Sequence, residues 1–249
     1  MKVDKNIPGT EGQARLTPKP WDYSCYLLLE LKRAIISILD KEAKLLSAKS
    51  QSPQPVVVDF GCGTCPYEPL FTERSFEYIG ADLRGNEQAK VQFAPGERLP
   101  FEDASVDVVF SSQVLEHVEE VQEYLNECNR ILKPGGLLLL STHGYWTYHG
   151  YPDDFYRWTF HGLKRTIEKA GFSVDQMIPC VGPLAYTTHL RNQLVRGFLY
   201  KFAPFSLPLI VLTNIVSALL QPLEDSITPQ QVKSENAAVY AVEARKPSL

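Results

Sequence analysis

The residues with the clearest potential for chemistry form a glycine-rich turn after a short apolar run. The run is Val56–Phe60, and the sequence across its end reads Asp59-Phe-Gly61-Cys62-Gly63. Glycines at these two positions let the backbone turn sharply and approach a ligand closely. Asp82 ends the next apolar run, 19 residues after Gly63, where a carboxylate can accept hydrogen bonds from a ribose diol. These residues predict a site for an adenosine-containing ligand.

The turn does not match the sites that bind a pyrophosphate. A dinucleotide fingerprint requires a third glycine where this chain has Pro66, and the P-loop pattern is absent from the sequence. A nicotinamide-dependent oxidoreductase is therefore a disfavoured rival. Asp59 would repel a pyrophosphate, but an acid at this position suits a ligand with an ammonium or a sulfonium group.

Four segments in order carry a family resemblance. Asp59-Phe-Gly-Cys-Gly resembles the first motif of the class I S-adenosylmethionine-dependent methyltransferases, and Asp82 resembles their second. The stretches "GERLPFEDASVDVVFSSQVLEHV" and "EYLNECNRILKPGGLLLLST" are similar to the next two blocks of the small-molecule branch known as type 11. The resemblance covers about 56–172, resumes at the last strand, and implies methyl transfer with S-adenosylmethionine as the cofactor.

The resemblance also assigns cofactor contacts to individual residues. Asp59 should order the loop and the ammonium end, Gly61 and Gly63 should border the methionine and ribose portions, and Asp82 should hold the ribose hydroxyls. Gln113 should lie near the transferable methyl, and Glu97 is the nearest acid to the position that meets the adenine amino group. Cys62 and Leu83 complete the predicted contact set. Cys65 stands where the family often has a third glycine.

Cys62 and Cys65 also have the spacing of half a zinc site or of a redox pair. The sequence has no second pair at this spacing, and a tetrahedral zinc site needs four ligands. We therefore predict no metal. Five scattered cysteines, an odd number, favour a reducing compartment over a disulfide framework.

The segment 142–163 follows the fifth predicted strand and is unusually rich in reactive and aromatic residues. It holds three histidines, two acids, one arginine and eight aromatic residues in 22 positions. One interpretation is an aromatic lid that excludes water. The other is an acceptor pocket in which His143 or His149 takes a proton from a hydroxyl, and Asp154 either orients that histidine or pairs with Arg157. The nearby Glu116-His117 pair is compatible with catalysis or with a simple helix start.

The segment 142–163 resembles the "H…P-D-[YF]-[YF]-R-[WF]-T" stretch of relatives in this branch. That resemblance implies a small-molecule acceptor, and we expect O-methylation of a sugar or a lipid-linked saccharide. The alternatives are N- or C-methylation of another small molecule, or a catalytically silent S-adenosylmethionine-binding module.

The elements that must position these residues alternate between strand and helix patterns. Apolar residues at helical spacing over 23–48 predict an amphipathic helix before the first strand. Helices are predicted at 118–132 and 160–172, with "KPGG" as a turn between the first of them and the fifth strand. Strands are predicted at 56–60, 76–83, 90–94, 105–112, 137–142, 173–179 and from 236 onward. The pattern predicts an α/β fold: a Rossmann-like, seven-stranded, mostly parallel sheet with helices on both faces.

A helical insertion is predicted at 181–235, before the last strand. Because that strand should run antiparallel, the insertion should emerge on the ligand side of the sheet. The segment 207–220 is apolar but too short and too interrupted to span a bilayer. It is expected to be a core cap, a lid over the acceptor, or an interfacial helix that makes peripheral membrane contact through 205–220.

The composition limits the remaining choices. The chain has 249 residues, 44% of them hydrophobic, and a formal net charge of -4, which disfavours nucleic acid as the main partner. Residues 1–20 are rich in proline, glycine and charge and are expected to be a mobile leader, with 21–249 as a single methyltransferase domain. The leader has no apolar core of a secretory signal, so we expect a cytoplasmic protein, with a membrane-peripheral location as the alternative.

Overall fold

A seven-stranded sheet forms the centre of the molecule. The structure, a computed structural model, describes residues 15–48, 54–150 and 153–248. Its strands are β1 (Val56–Phe60), β2 (Glu77–Leu83), β3 (Val91–Phe93), β4 (Val106–Ser112), β5 (Leu132–His143), β6 (Ser173–Cys180) and β7 (Val239–Arg245). They lie in the order β3-β2-β1-β4-β5-β7-β6, and β7 is antiparallel to β5 and β6 while the other pairs are parallel. The predicted Rossmann-like sheet is confirmed.

Helices cover both faces of this sheet. They are α1 (Cys25–Ala48), α2 (Glu68–Thr72), α3 (Val121–Ile131), α4 (Phe160–Lys169), α5 (Pro183–Leu199), α6 (Leu207–Ile227) and α7 (Gln230–Glu235). Side chains alternate across a strand, so Val57 faces the core under α1 and Val58 faces the core under α3 and α4. Both valines are fully buried, which explains why β1 is a continuous apolar run.

The direction of the strand connections reverses at β1. The chain passes from β1 to β2 and β3 on one side, and then returns to β4 and β5 on the other. In open α/β sheets the ligand site lies beyond the carboxyl ends of the strands at such a reversal. The ends of β1, β2, β4 and β5 therefore frame the site.

Several element boundaries differ from the prediction, and two of these differences have a clear structural reason. The "KPGG" segment belongs to β5, because Leu132 already pairs with Val106 and an irregularity in register follows between Val106 and Val108. The helix predicted to start at 118 starts at Val121, because a 3₁₀ turn at 115–117 ends on an extended Val118.

The chain between β6 and β7 is helical, as predicted. The helices α5 and α6 pack side by side in opposite directions, with Thr188 bonded to Glu224 and Asn192 to Asn214. The expectation about the length of α6 is wrong. Pro222 lies inside the helix and does not end it, so α6 has 21 residues. By length and composition alone, with a mean hydropathy of 1.5, this helix is long and apolar enough to cross a membrane.

The predicted leader lies largely outside the described residues, which begin at 15. Residues 15–20 lie against the start of the domain. Leu16 packs on the core, and its carbonyl accepts a hydrogen bond from the Lys32 ammonium at 2.8 Å.

Candidate active site

The turn after β1 is shaped by two glycines in the left-handed region. Gly61 has φ +92°, and a Cβ placed there would lie 2.4 Å from Cγ2 of Val114. Gly63 has φ +55° and open space where its side chain would be. Gly61 is therefore needed for close packing against the segment after β4, whereas Gly63 leaves the backbone open toward the site.

Asp82, at the end of β2, faces this turn. Its Oδ2 accepts the backbone N–H of Gly63 at 2.7 Å and the Asn86 side-chain amide at 2.8 Å, and its Oδ1 accepts the N–H of Leu83 at 2.7 Å. A carboxylate has about four acceptor positions, so capacity remains for a ligand hydroxyl. Leu83 is exposed beside it and offers an apolar surface to a ring.

Asp59 lies inside β1 and is buried. It accepts a hydrogen bond from the Tyr78 hydroxyl, which reaches across from β2. The pKa of Asp59 is raised to about 7, mainly by burial and also by the negative charge of Asp82, against the lowering effect of the Tyr78 hydrogen bond. A cation bound beside Asp59 would stabilise its ionised form.

The two cysteines of the turn pack together on β2. A Cβ at Gly80 would lie 2.9 Å from the sulfur atoms of both Cys62 and Cys65. Cys62 is buried, and burial raises the pKa of both thiols. Within the described ranges, no group of three His, Cys, Asp or Glu side chains is arranged to hold a metal ion.

Gln113 follows β4 at the edge of the same crevice. It has φ +59°, its backbone N–H is donated to the Ser141 carbonyl at 2.8 Å, and its side-chain amide lies 3.1 Å from the Ser141 hydroxyl. These bonds fix Gln113 between the ends of β4 and β5, next to the turn after β1.

Glu97 lies at the outer rim. Its carboxylate pairs with Arg84 at 2.8 Å and accepts the backbone N–H of Ala94 at 2.8 Å. Both bonds are local, so an adenine contact by Glu97 stays a prediction.

A buried histidine and a buried acid meet at the end of β5. His143 Nδ1 lies 3.0 Å from Glu116 Oε1, although the two atoms are not aligned for a hydrogen bond. The other oxygen of Glu116 accepts the Thr142 hydroxyl at 2.8 Å. Burial lowers the pKa of His143 to about 2 and raises that of Glu116, so the pair favours the neutral imidazole.

His149 lies near this pair but reaches solvent. Its ring centre is 6.1 Å from that of His143 and 5.6 Å from that of His117. Partial burial and the neighbouring His117 lower its pKa. The neutral imidazole therefore dominates near pH 7, and its free nitrogen is able to accept a proton.

The sequence left two alternatives for Asp154, which were to orient a catalytic histidine or to pair with Arg157, and its contacts show the pairing. Asp154 forms a two-point ion pair with Arg157, and it accepts the backbone N–H of His149 rather than a ring N–H. Arg157 also donates to the carbonyls of Trp146 and Thr147 at 3.0 and 2.6 Å. The pair therefore holds the loop that carries His149, and its contacts are those of positioning residues.

An aromatic wall extends from His143 to the insertion. The ring of Trp146 stacks on His143 at 4.6 Å with an interplanar angle of 2°. On its other side lie Tyr186 and His189 of α5, each 5.3 Å away between ring centres. Sequence analysis did not predict these two residues. Their only signal was the position of α5, which starts directly after β6 on the ligand side.

The residues at the turn fit S-adenosylmethionine. Asp82 has acceptor capacity for a diol, exposed Leu83 suits a purine face, and buried Asp59 is an acid at the place where an ammonium or sulfonium would lie. Gly63 adds a backbone with no side chain in the way. These protein groups together suit a ligand that consists of a nucleoside and a positively charged tail.

Comparison with known proteins supports the same family. Residues 58–140 match the model of the type 11 family, described as "Methyltransferase domain". An "Uncharacterized methyltransferase" of Mycobacterium sp. (strain KMS) is 38% identical over 94 residues, which is 34% of this chain and 37% of that protein. A "Probable S-adenosylmethionine-dependent methyltransferase" of Mycolicibacterium smegmatis is 31% identical over 137 residues, or 49% of this chain and 53% of that protein. The matches therefore span about a third to a half of these relatives.

A solved structure shares the fold. The crystal structure of the [4+2]-cyclase SpnF superposes with a TM-score of 0.51 and 17% identity, over 84% of this chain and 81% of that one. At 17% identity, this neighbour shows the architecture alone. The match at 58–140, the strand order and the fit of the turn together support a class I S-adenosylmethionine-dependent methyltransferase, with the type 11 methyltransferase domain matched over about a third of the chain.

Proposed function

We propose that this chain methylates an oxygen atom of a small molecule, a sugar or a lipid-linked saccharide, with S-adenosylmethionine as the methyl donor. The observation that carries the proposal is the position of His149. This imidazole, with its lowered pKa, lies 6.1 Å between ring centres from His143, at the carboxyl end of β5.

The turn after β1 would bind and orient S-adenosylmethionine. Asp82 and Leu83 would hold the nucleoside, and Asp59 would hold the cationic end, with Gly61 and Gly63 shaping the backbone between them. When bound, S-adenosylmethionine supplies an electrophilic methyl group on a positively charged sulfur. Gln113, fixed between β4 and β5, borders the space in which acceptor and methyl would meet.

His149 is the residue we assign as the base. The imidazole would take the proton of the acceptor hydroxyl as the oxygen attacks the methyl carbon and the bond from that carbon to sulfur breaks. Its exposure lets it reach an acceptor that enters from solvent. His143 is less suited to act as the base, because it is buried and its Nδ1 faces Glu116. We assign His143 and Glu116 to positioning, through the Trp146 stack.

Exposed aromatic rings favour a ring-shaped, largely apolar-faced acceptor such as a sugar. Four such residues lie in the same loop: Tyr145, Tyr148, Phe155 and Tyr156, with Tyr148 81% exposed. A sugar presents C–H faces to aromatic rings and hydroxyls to polar groups, which matches a site of aromatic rings beside histidine and carboxylate side chains. Holding the hydroxyl in line with the methyl in such a site supplies up to roughly 7–11 kcal/mol through proximity alone.

The test has two stages. Isothermal titration should show micromolar binding of S-adenosylmethionine and S-adenosylhomocysteine, and no binding of NAD. A screen with radiolabelled methyl donor over glycosides, amines and polyprenyl-linked saccharides should then label an oxygen. His149→Gln should lower kcat and flatten its pH profile, whereas His161→Gln, an exposed histidine on α4, should do neither.

The outcomes separate the proposal from its rivals. Label on nitrogen or carbon would replace O-methylation. Cofactor binding without transfer to any acceptor class would support a silent binding module. If neither S-adenosylmethionine nor S-adenosylhomocysteine binds, the proposal of methyl transfer is wrong.

A further inference from the structure

The helical pair α5–α6 exposes a large apolar surface. Its tip, 200–206, joins the two helices and carries Phe205, which is 92% exposed. Other exposed apolar side chains on the pair are Leu194, Val195, Phe198, Phe202, Leu207, Leu209, Val211, Leu212, Val216, Leu219, Leu220, Leu223 and Ile227. A soluble surface rarely holds so many large apolar residues side by side.

The buried polar residues of α6 are on the other side of the helix, and two of them, Asn214 and Asp225, bond to the rest of the domain. Asn214 bonds to Asn192 of α5 at 3.0 Å and to the carbonyl of Trp21 at 2.8 Å. Asp225 accepts the Tyr26 hydroxyl at 2.8 Å and the backbone N–H of Gly182 at 2.6 Å.

These hydrogen bonds of Asn214 and Asp225, called anchors below, show whether α6 can lie in a membrane surface or can cross the membrane. As a spanning helix, α6 would have to leave α1 and α5, and its buried polar side chains would lose their partners in hydrocarbon, where water cannot replace them. When these anchors are intact, α6 lies on the domain, and only the side of the helix that carries the apolar residues is exposed.

The outer face is too broad for a single flat contact. At 100° per residue, the exposed apolar positions from Val211 to Leu220 cover an arc of about 180° around α6. A rigid partner would cover one stripe of such an arc, whereas fluid acyl chains can surround it.

The charge of this region favours an anionic surface. Between 192 and 223 the sequence has no acidic residue and two basic ones, although the whole chain has a formal net charge of -4. Arg196 is buried over the ring of Tyr23, 4.1 Å from its centre. Lys201 is exposed at the tip, near the ring of Phe198.

We propose that the α5–α6 pair docks the protein on an anionic lipid bilayer, with its tip and the outer face of α6 inserted into one leaflet and without spanning it. The aromatic residues of the tip would lie at the headgroup level and Lys201 among the lipid phosphates. The proposal is independent of methyl transfer.

Vesicle binding tests it with the full chain. The protein should float with vesicles of phosphatidylcholine and phosphatidylglycerol, and binding should fall at least about tenfold in F205S/L219S, which removes two exposed apolar side chains. The control L45S/V232S alters two exposed apolar residues outside the α5–α6 pair, on α1 and α7, and should bind like the wild type. Circular dichroism should show all forms folded.

Two further measurements sharpen the result. Lys201→Gln should weaken binding about fivefold on the anionic vesicles and leave binding to pure phosphatidylcholine unchanged. Alkaline carbonate should release the protein from native membranes, as it does for non-spanning proteins. Asp82→Ala should bind vesicles like the wild type, which separates docking from the cofactor site.

Three results would overturn the proposal. They are absence of vesicle binding, an equal loss in F205S/L219S and in its control, and retention in the membrane after carbonate treatment. Light scattering that shows a dimer in solution, broken by F205S/L219S and without vesicle binding, would assign the surface to a second copy of the chain instead.

Discussion

Gly63 donates its backbone N–H to Oδ2 of Asp82 at 2.7 Å, and this bond ties the turn after β1 to the end of β2. The same carboxylate is therefore both a structural brace of the turn and the acceptor proposed for a ribose diol. Loss of the carboxylate would loosen the turn and remove the ligand contact together.

Asp82→Ala should raise the dissociation constant for S-adenosylhomocysteine by roughly 10- to 100-fold, since a hydrogen bond from the ligand to a charged group, worth about 1.5–3 kcal/mol, is lost. Isothermal titration measures the change. Glu87→Ala, an exposed acid in the turn after β2, is the matched control and should bind as the wild type does. Equal affinities for all three proteins would remove Asp82 from the cofactor site.

Gly61→Ala should destabilise the fold. The new Cβ would meet Val114 at 2.4 Å, and the residue would have to keep φ +92°. Overpacking and the strained backbone each cost about 1–3 kcal/mol. Urea unfolding should show the loss, and adding Val114→Ala should restore only the part that is due to the clash. No rescue by the second substitution would mean that backbone strain alone is responsible.

Arg157→Lys should loosen the aromatic loop without affecting the cofactor. A lysine cannot reproduce the two-point pair with Asp154 together with the bonds to the carbonyls of Trp146 and Thr147. We expect cleavage by a protease within 142–158 to become several-fold faster, with unchanged affinity for S-adenosylhomocysteine. Arg165→Lys on α4 is the control. A tenfold loss of cofactor affinity in Arg157→Lys would contradict the separation of loop and turn.

The sequence predicted the elements that frame the cofactor turn because their signals are local. The run Val56–Phe60 is β1 without a change of boundary, since β-branched residues and a following glycine define both ends. The end of β2 at Leu83 follows in the same way. The candidate cofactor residues Asp59 and Asp82 therefore lie near the strand ends at which the sequence places them, and their roles stay predictions.

The features that depend on distant contacts could not be predicted. The role of Asp154 required knowing which of its neighbours it would meet, and the answer is a guanidinium three residues away rather than a histidine ring. Nothing in the sequence joined Trp146 to Tyr186 and His189, which meet only when α5 packs against the loop that follows β5. The apolar pattern of α6 likewise did not reveal which of its faces would be exposed.

The raised pKa of Asp59 predicts a dependence of stability on pH in the cofactor-free protein. Its pKa is about 7 when folded against an ordinary value of 3.8, so the folded state binds more protons than the unfolded state between these values. The stabilising contribution is thus complete below pH 3.8 and is lost as the pH rises through 7. Asp59→Asn keeps an acceptor for Tyr78 but cannot ionise, so the advantage of the variant in unfolding free energy over the wild type should rise by roughly 2–4 kcal/mol between pH 5 and pH 8. Urea unfolding at both pH values measures this difference, with Asp103→Asn, an exposed acid, as the control that should show no such rise. An advantage that stays constant from pH 5 to pH 8 would mean that Asp59 is ionised throughout and that Tyr78 and the surrounding backbone stabilise its charge.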